Sequence, residues 1–316
     1  MIITLTPNPA FDITYAVTSV ALGESHRVGS VSERAGGKGL NVAAVLTAMG
    51  HRAVAVAPVF ELDAGLFASD LDARRVPHRL VSSPCPTRRS VAVVEADGRA
   101  TLLNEPGIGQ SQRVWDRLAD ELVRLAPEAS VLTVSGSLPP GTDHDLIRRL
   151  TLMAREAGLR VVLDVSGIPL TRALGAGPDL VKPNRVEAAV TLTGLGRGEV
   201  PSVPGAARAL VVAGARAAVV SDGTNGLVLV HEDVALRAHL RRPLSGNPTG
   251  AGDALTASLA VDLEDGLPQG RDAWAAALRR GIAWSAAAVL QPVAGSVDPA
   301  DVDRLLPTVE IEEIRP

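Results

Sequence analysis

Cysteine is almost missing from this chain. Cys85 stands alone among 316 residues, which excludes an internal disulfide and a cysteine-rich zinc site and makes a reducing cytoplasm the expected compartment. The six histidines show no paired spacing, so neither zinc nor a Ser-His-Asp triad has support. Aromatic residues make up 2% and the net charge is −4. That leaves no basic footprint and no stacking platforms, and no nucleic-acid partner is expected. Hydrophobic residues reach 46%, yet no unbroken apolar run has membrane length, so no membrane partner is expected either. Met1 leads directly into the alternating run Ile2 to Thr6 with no basic segment before it, and no signal peptide is read.

Lysine is the other scarcity. Lysine and arginine total 31, but lysine occurs only at Lys38 and Lys182. Each falls inside a short motif, Gly36-Gly37-Lys38-Gly39 and Val181-Lys182-Pro183-Asn184. An ammonium and a guanidinium do not substitute for each other where geometry is tight, so both motifs are marked as candidate sites.

The most informative stretch is Asn247-Pro248-Thr249-Gly250-Ala251-Gly252-Asp253, followed by the small-residue apolar run Ala254 to Val261. Asn-Pro reads as a turn and the run as a helix. A glycine-rich turn opening a helix aims backbone N–H groups outward at the positive end of the dipole, which suits an anion, most often phosphate. Asp253 would repel a phosphate beside it, unless it is a base that takes the proton of an attacking hydroxyl. An ordinary acidic residue in a first helical turn is the competing reading.

Along the chain, Pro7-Asn8-Pro9 places Asp12 just past the first strand. Ile13 to Val20 and His26 to Ser32 read as short strands, Leu40 to Met49 as helix, Ala53 to Val59 as strand and Leu62 to Ala73 as helix. Thr87 to Glu95 and Arg99 to Asn104 flank Asp97-Gly98 as a hairpin. From residue 111 the chain alternates helices (111–126, 143–157, 185–193, 205–213) with strands (Val131 to Ser135, Val161 to Val165, Leu180 to Lys182, Ala217 to Ser221). A Gly/Pro-rich connector covers 194–204, Leu227 to His231 is a further strand, and helices close the chain at 254–263, 272–290 and 299–305. This rhythm predicts an α/β fold, a mainly parallel sheet with helices on both faces. The insertions at about 13–34 and 87–104 break the rhythm and are expected to pair as a small β-sheet lid on a single domain spanning 1–316.

Gly36-Gly37-Lys38-Gly39 is neither a Walker A loop nor a dinucleotide fingerprint. Its glycines permit close approach to a polar ligand, with Asn41 offering an amide and Lys38 a charge. Arg88 and Arg89 open the lid hairpin, where a guanidinium fork suits a phosphate. Asp164, Asn184 and Glu187 follow consecutive strand ends, and their oxygens suit Mg²⁺ directly or through water. Singly, each of these is as well explained as a cap, a turn residue or a solvated charge. Together they suit phosphoryl transfer from a nucleotide to a hydroxylated acceptor.

Over essentially its whole length the chain resembles the PfkB (ribokinase-like) carbohydrate kinases. The resemblance rests on Ala35-Gly36-Gly37-Lys38-Gly39-Leu40-Asn41-Val42-Ala43 and on Asn247 to Asp253. Thr6 to Asp12, Ser135-Gly136-Ser137-Leu138-Pro139-Pro140-Gly141 and Val181 to Asn184 are similar to the hexose-phosphate kinases among them. The resemblance implies that Asp12, Gly37, Lys38 and Asn41 contact the sugar, and that Arg88, with Lys38 and Ser137, holds its phosphate. It implies that Lys182, Asn184, Ser221, Gly223 and Gly226 line an ATP site and that Asn184 and Glu187 organise Mg²⁺. Gly250, Ala251 and Gly252 would form the anion hole, with Asp253 as base. Asp222, where relatives carry an apolar residue, and Ser258, where they carry glycine, depart from the pattern. Relatives dimerise through their lids, so a homodimer is the corresponding expectation.

The activity expected is ATP-dependent phosphorylation of a hexose phosphate. Lys38 favours the 1-phosphofructokinase and tagatose-6-phosphate kinase branches over the minor 6-phosphofructokinases, which often carry glycine there. A non-catalytic sugar or nucleotide sensor on the same fold is the rival from another class, though a sensor has no need of Asp253. A nicotinamide-dependent oxidoreductase lacks its glycine fingerprint.

Overall fold

The computed structural model describes residues 1–196 and 202–314. The first part of the chain runs β1 (Ile2–Leu5), β2 (Ala10–Val17), β3 (Ser30–Gly36), α1 (Lys38–Ala48), β4 (Ala53–Phe60), α2 (Ala64–Ala73), β5 (His78–Ser83), β6 (Arg88–Glu95) and β7 (Ala100–Asn104). The middle runs α3 (Gln112–Leu125), β8 (Val131–Ser135), α4 (Leu146–Glu156), β9 (Arg160–Asp164), α5 (Gly167–Leu174), β10 (Leu180–Val181), α6 (Arg185–Gly194) and α7 (Val203–Val212). The last part is β11 (Ala217–Ser221), β12 (Leu227–His231), β13 (Val234–Leu240), α8 (Ala251–Asp262), α9 (Gly270–Val289), α10 (Pro299–Leu305) and β14 (Val309–Glu313).

Ten strands form the main sheet in the order β14-β13-β12-β11-β10-β9-β8-β1-β4-β5. From β5 through β11 every pairing is parallel, and β12, β13 and β14 add an antiparallel edge. Both faces are covered, which is why the central strands read as continuous apolar runs. Ile2, Val131, Val162, Ala217 and Val219 face α8 and α9. Their neighbours Ile3, Leu132, Val161, Leu163, Ala218 and Val220 face the side that carries α3 to α7. The alternation follows the two-residue period of a strand. Among the described residues no helix is long and apolar enough to cross a membrane.

The lid is a second sheet, β3-β2-β6-β7. Its hairpin β6–β7 matches the Asp97-Gly98 turn expectation. β3 does not match: it lies at Ser30–Gly36 rather than at His26 to Ser32. The cause is register, because β2 pairs with it from Ala10↔Gly36 to Ala16↔Ser30, and this ladder delivers the chain straight into α1. The lid strands thus reach to Ala10 and Gly36. Three strands, β5, β13 and β14, escaped the sequence reading. β5 and β14 are edge strands of mixed polarity, such as His78-Arg79-Leu80 and Glu310-Ile311-Glu312, and polar residues are what protect an edge from unwanted pairing. Within the connector expected at 194–204, residues 197–201 lie outside the described residues. α7 begins at Val203, capped by the Ser202 hydroxyl, which accepts from Gly205 N.

Candidate active site

The parallel strands end on one edge, where functional groups of open α/β sheets gather. β1, β8, β9, β10 and β11 deliver Asn8, Ser137, Asp164, Lys182 and Ser221 there, and the N-termini of α1 and α8 deliver Lys38, Asn41 and Asp253. The helix expected from residue 254 starts earlier, at Ala251, with Gly250 as its N-cap at φ 87°. That left-handed conformation is one glycine adopts without a Cβ penalty, and it turns the chain so that N–H groups face outward. Asn247 braces the turn, its Oδ1 accepting from Thr249 N at 3.0 Å and its Nδ2 donating to the Pro292 carbonyl at 3.0 Å. Ala251 N donates to the Pro248 carbonyl at 3.2 Å, whereas the N–H groups of Gly250, Gly252 and Asp253 find no acceptor among the described residues. Such donors at the positive end of a 12-residue helix suit an anion.

Asp253 is buried beside them. Asn41 Nδ2 donates to Asp253 Oδ2 at 3.2 Å and to Asp12 Oδ2 at 3.0 Å, so the two protons of one amide serve two carboxylates. Asp12 also accepts from Gly37 N at 3.2 Å. Burial, reinforced by the negative charge of Asp164, pushes the Asp253 carboxyl up to about 7. Burial also raises the Asp12 carboxyl. A carboxyl near 7 in a dry site is suited to take a proton at neutral pH.

Both lysines of the chain converge on Asp164. Lys38 Nζ lies 3.2 Å from Asp164 Oδ1 and 3.2 Å from Glu187 Oε1, and Lys182 Nζ lies 3.4 Å from Asp164 Oδ2. Thr256 Oγ1 stands 3.2 Å from the same Oδ2. Burial alone would raise Asp164; Lys182 and Lys38 outweigh it and hold the carboxylate ionised, below its usual range. Burial alone would lower Lys38; Asp164, Glu187 and Asp253 outweigh it and keep the ammonium charged. Lys182 reaches this turn as well: a Cβ on Gly252 would meet its Nζ at 3.5 Å.

The three sequence candidates for Mg²⁺ are placed differently from one another. Asp164 sits between two ammonium groups, 1% exposed, rather than facing an open cation position. Asn184 and Glu187 form the capping box of α6, Asn184 Oδ1 accepting from Glu187 N and Glu187 Oε2 from Asn184 N, both at 2.9 Å. Among the described residues no group of three or more His, Cys, Asp or Glu side chains is arranged to hold a metal. Glu187 keeps a partly open carboxylate, at 24% exposure. That fits an ion such as Mg²⁺, which retains much of its water.

Ser221 pairs with Asn184 in an isolated parallel bridge, bringing the Gly223–Gly226 turn alongside α6. Asp222 fastens that turn: it accepts from Asn225 Nδ2 at 3.1 Å and its carboxylate lies 3.7 Å from Arg185 Nη1. Arg88 and Ser137 also come together, but through Asn8, which the sequence reading passed over. Lys38 stands apart from them, turned toward Asp164 and Glu187.

Comparison with known proteins fits this geometry. The sequence profile described as pfkB family carbohydrate kinase matches residues 6–301. The chain belongs to this family. This kinase is 38% identical over 268 residues to a 1-phosphofructokinase of Xanthomonas campestris pv. campestris, covering 83% of this chain and 84% of that one. It is 36% identical over 264 residues to a 1-phosphofructokinase of Rhodobacter capsulatus, covering 82% of each. The structure of phosphofructokinase-2 from Escherichia coli in complex with fructose-6-phosphate superposes with a TM-score of 0.82 at 27% identity, over 97% of this chain and 98% of that one. As a PfkB carbohydrate kinase it is a phosphotransferase with an alcohol acceptor, and its family implies ATP as donor.

Proposed function

We propose that this kinase transfers the γ-phosphoryl group of ATP to a hydroxyl of a hexose phosphate, with fructose 1-phosphate as acceptor and fructose 1,6-bisphosphate as product. The observation that carries the reading is the position of Asp253, a buried carboxyl near 7 in the first turn of the helix whose free N–H groups face outward. The acceptor hydroxyl gives its proton to Asp253 as its oxygen bonds to the γ-phosphorus. The bond from that phosphorus to the β–γ bridging oxygen breaks, and the oxygen leaves with ADP. Gly250, Gly252 and Asp253 N–H groups and the Lys182 ammonium stabilise the phosphoryl group in flight. Asp12 and Asn41 hold the sugar hydroxyls, with Gly37 giving close approach, while Arg88 and Ser137 hold the sugar's phosphate. Lys38 supplies positive charge between acceptor and donor. Ser221, Gly223 and Gly226 line the nucleotide. Mg²⁺, held by Glu187 and Asn184 partly through water, would neutralise charge on the nucleotide's phosphates.

The names of the relatives from Xanthomonas and Rhodobacter favour fructose 1-phosphate. The fructose-6-phosphate complex of the Escherichia coli enzyme favours the 6-phosphate as second reading. An ADP-release assay over fructose 1-phosphate, fructose 6-phosphate, tagatose 6-phosphate and unphosphorylated sugars tests it. Turnover of fructose 1-phosphate at the highest kcat/KM is expected; activity confined to unphosphorylated sugars would overturn the sugar-phosphate reading, and binding without ADP release would make the chain a sensor. A homodimer through the lids belongs to the same proposal. Directly paired residues share a face of a sheet, and Tyr15↔Val31, Tyr15↔Val93 and Val91↔Leu103 are such pairs. Val31 and Leu103 are each 59% exposed, an apolar surface that a second lid would cover.

A further inference from the structure

We infer that Asn8 is the positioning residue of the seat for the acceptor's phosphate, donating to Ser137 so that the hydroxyl proton is left for the ligand, and aiming the Arg88 guanidinium through its main-chain carbonyl. The inference rests on the sugar-phosphate reading above. Asn8 is buried, at 7% exposure, in the loop between β1 and β2, and it ties three further segments to that loop. Its Nδ2 donates to the Pro106 carbonyl at 3.0 Å and to Ser137 Oγ at 3.2 Å, and its own carbonyl accepts from Arg88 Nε at 3.2 Å.

The chemistry follows from counting protons. Ser137 Oγ accepts from Asn8, so its single hydroxyl proton is left for a ligand oxygen. Ser137 is exposed, which leaves that direction open. Arg88 spends Nε on Asn8 and one Nη1 proton on the Glu105 carbonyl at 3.0 Å. Among the described residues the second Nη1 proton and both Nη2 protons find no acceptor, a fork suited to phosphate. Asn8 itself is walled in by Gly107 at φ 81°, where an added Cβ would meet Asn8 Oδ1 at 2.5 Å. No room exists for a larger residue there, and the Pro106 carbonyl, which can only accept, keeps the amide nitrogen on the side of Pro106 and Ser137. Asn8 does not reach the ligand; its effect passes through Ser137 and Arg88.

Asn8→Asp removes the donor to both the Pro106 carbonyl and Ser137 Oγ. A carboxylate accepts the Ser137 proton, which removes the outward donor and adds negative charge behind the seat. With steady-state kinetics on the full chain, KM for fructose 1-phosphate is expected to rise about 10- to 100-fold, the range for a lost hydrogen bond to a charged group. KM for ATP and kcat stay close to wild type. Parallel changes in both KM values, or an unchanged KM for fructose 1-phosphate, would overturn the inference. Should the buried carboxylate prevent folding, Asn8→Ala, Ser137→Ala and the double variant decide instead. Their effects on KM for fructose 1-phosphate are expected to be non-additive, and full additivity would show that Asn8 does not act through Ser137. Wild-type enzyme that phosphorylates only unphosphorylated sugar would fail the functional reading itself, an outcome separate from either variant result.

Discussion

Asn41 and Asp253 lie 212 positions apart in the chain and meet at 3.2 Å, amide nitrogen to carboxylate oxygen, across the contact between α1 and α8. The amide cannot rotate away cheaply, because its other proton is held by Asp12 at 3.0 Å. The Asp253 carboxylate is therefore held in place before any ligand arrives. Replacing it by its neutral isostere, Asp253→Asn, removes the proton acceptor but leaves the free N–H groups of the turn. Turnover is expected to fall on the order of 10²–10⁴-fold, while binding of ATP and sugar phosphate, read by calorimetry, persists. Unchanged turnover would remove Asp253 from the role of base.

The elevated carboxyl also sets a pH limb. Burial and then Asp164 push Asp253 up to about 7, and a carboxyl in the proposed role of base works only when ionised. The kcat/KM for the sugar phosphate should thus rise with pH through an inflection near that value and level off above it. In Asp253→Asn this limb should vanish from the residual activity. A wild-type profile flat between pH 5.5 and 8 would contradict the assignment.

How much of this was legible beforehand divides along physical lines. The glycine turns, the lone lysines and Asp253 were visible because few residue types meet their local demands: glycine at φ 87° before α8, a compact cation at a crowded site. Period-two and helical patterns likewise gave the parallel core. Long-range partnership was not visible. Nothing local to Asp164 says that both lysines will converge on it, and the sequence alone groups it with the metal donors. Asn8 sits in a Pro-Asn-Pro turn that reads as loop chemistry, and only the packed fold reveals that it joins Arg88 to Ser137. The shift of β3 to Ser30–Gly36 has the same origin, since its partner β2 fixes register that the segment's own alternation leaves free.

Asp164 offers a sharp test of the paired-lysine network. Asp164→Asn leaves Lys182, 3% exposed, without its ion-pair partner. Breaking a buried pair from one side costs about 3–5 kcal/mol, to be read from denaturant unfolding. It also removes the negative charge that helps hold Asp253 up, so the kinetic inflection should move below that of wild type. Restoring neutrality with Asp164→Asn plus Lys182→Met should recover stability without recovering turnover. A stable Asp164→Asn variant with an unmoved inflection would show the network to be peripheral.

The outer face of the lid gives an assembly prediction. Leu103 is 59% exposed beside Val91, and a buried carboxylate at a dimer interface has no partner to offset its desolvation. Leu103→Asp should convert a dimer in sedimentation velocity to a monomer, with the α/β core intact by circular dichroism. A wild-type chain that sediments as a monomer at micromolar concentration would remove the lid dimer.

Asp253 should finally leave its mark on stability, with a sign fixed by linkage. Its carboxyl is raised from 3.8 to about 7 in the fold, so the folded chain keeps a proton that the unfolded chain releases. Stability contributed by that proton is complete below pH 3.8, declines as pH rises and is lost once pH passes about 7. Asn cannot ionise and carries no such loss. The difference in Tm between Asp253→Asn and wild type should accordingly grow in favour of the variant from pH 4 to pH 7 and stay constant above. Each kcal/mol gained is worth about 2 °C in a chain of this size. Asp12, raised in the same direction, is present in both proteins and cancels in the difference. A variant less stable than wild type at pH 8 would mean that Asp253 is held ionised by its neighbours and that the fold, not the chemistry, requires its charge.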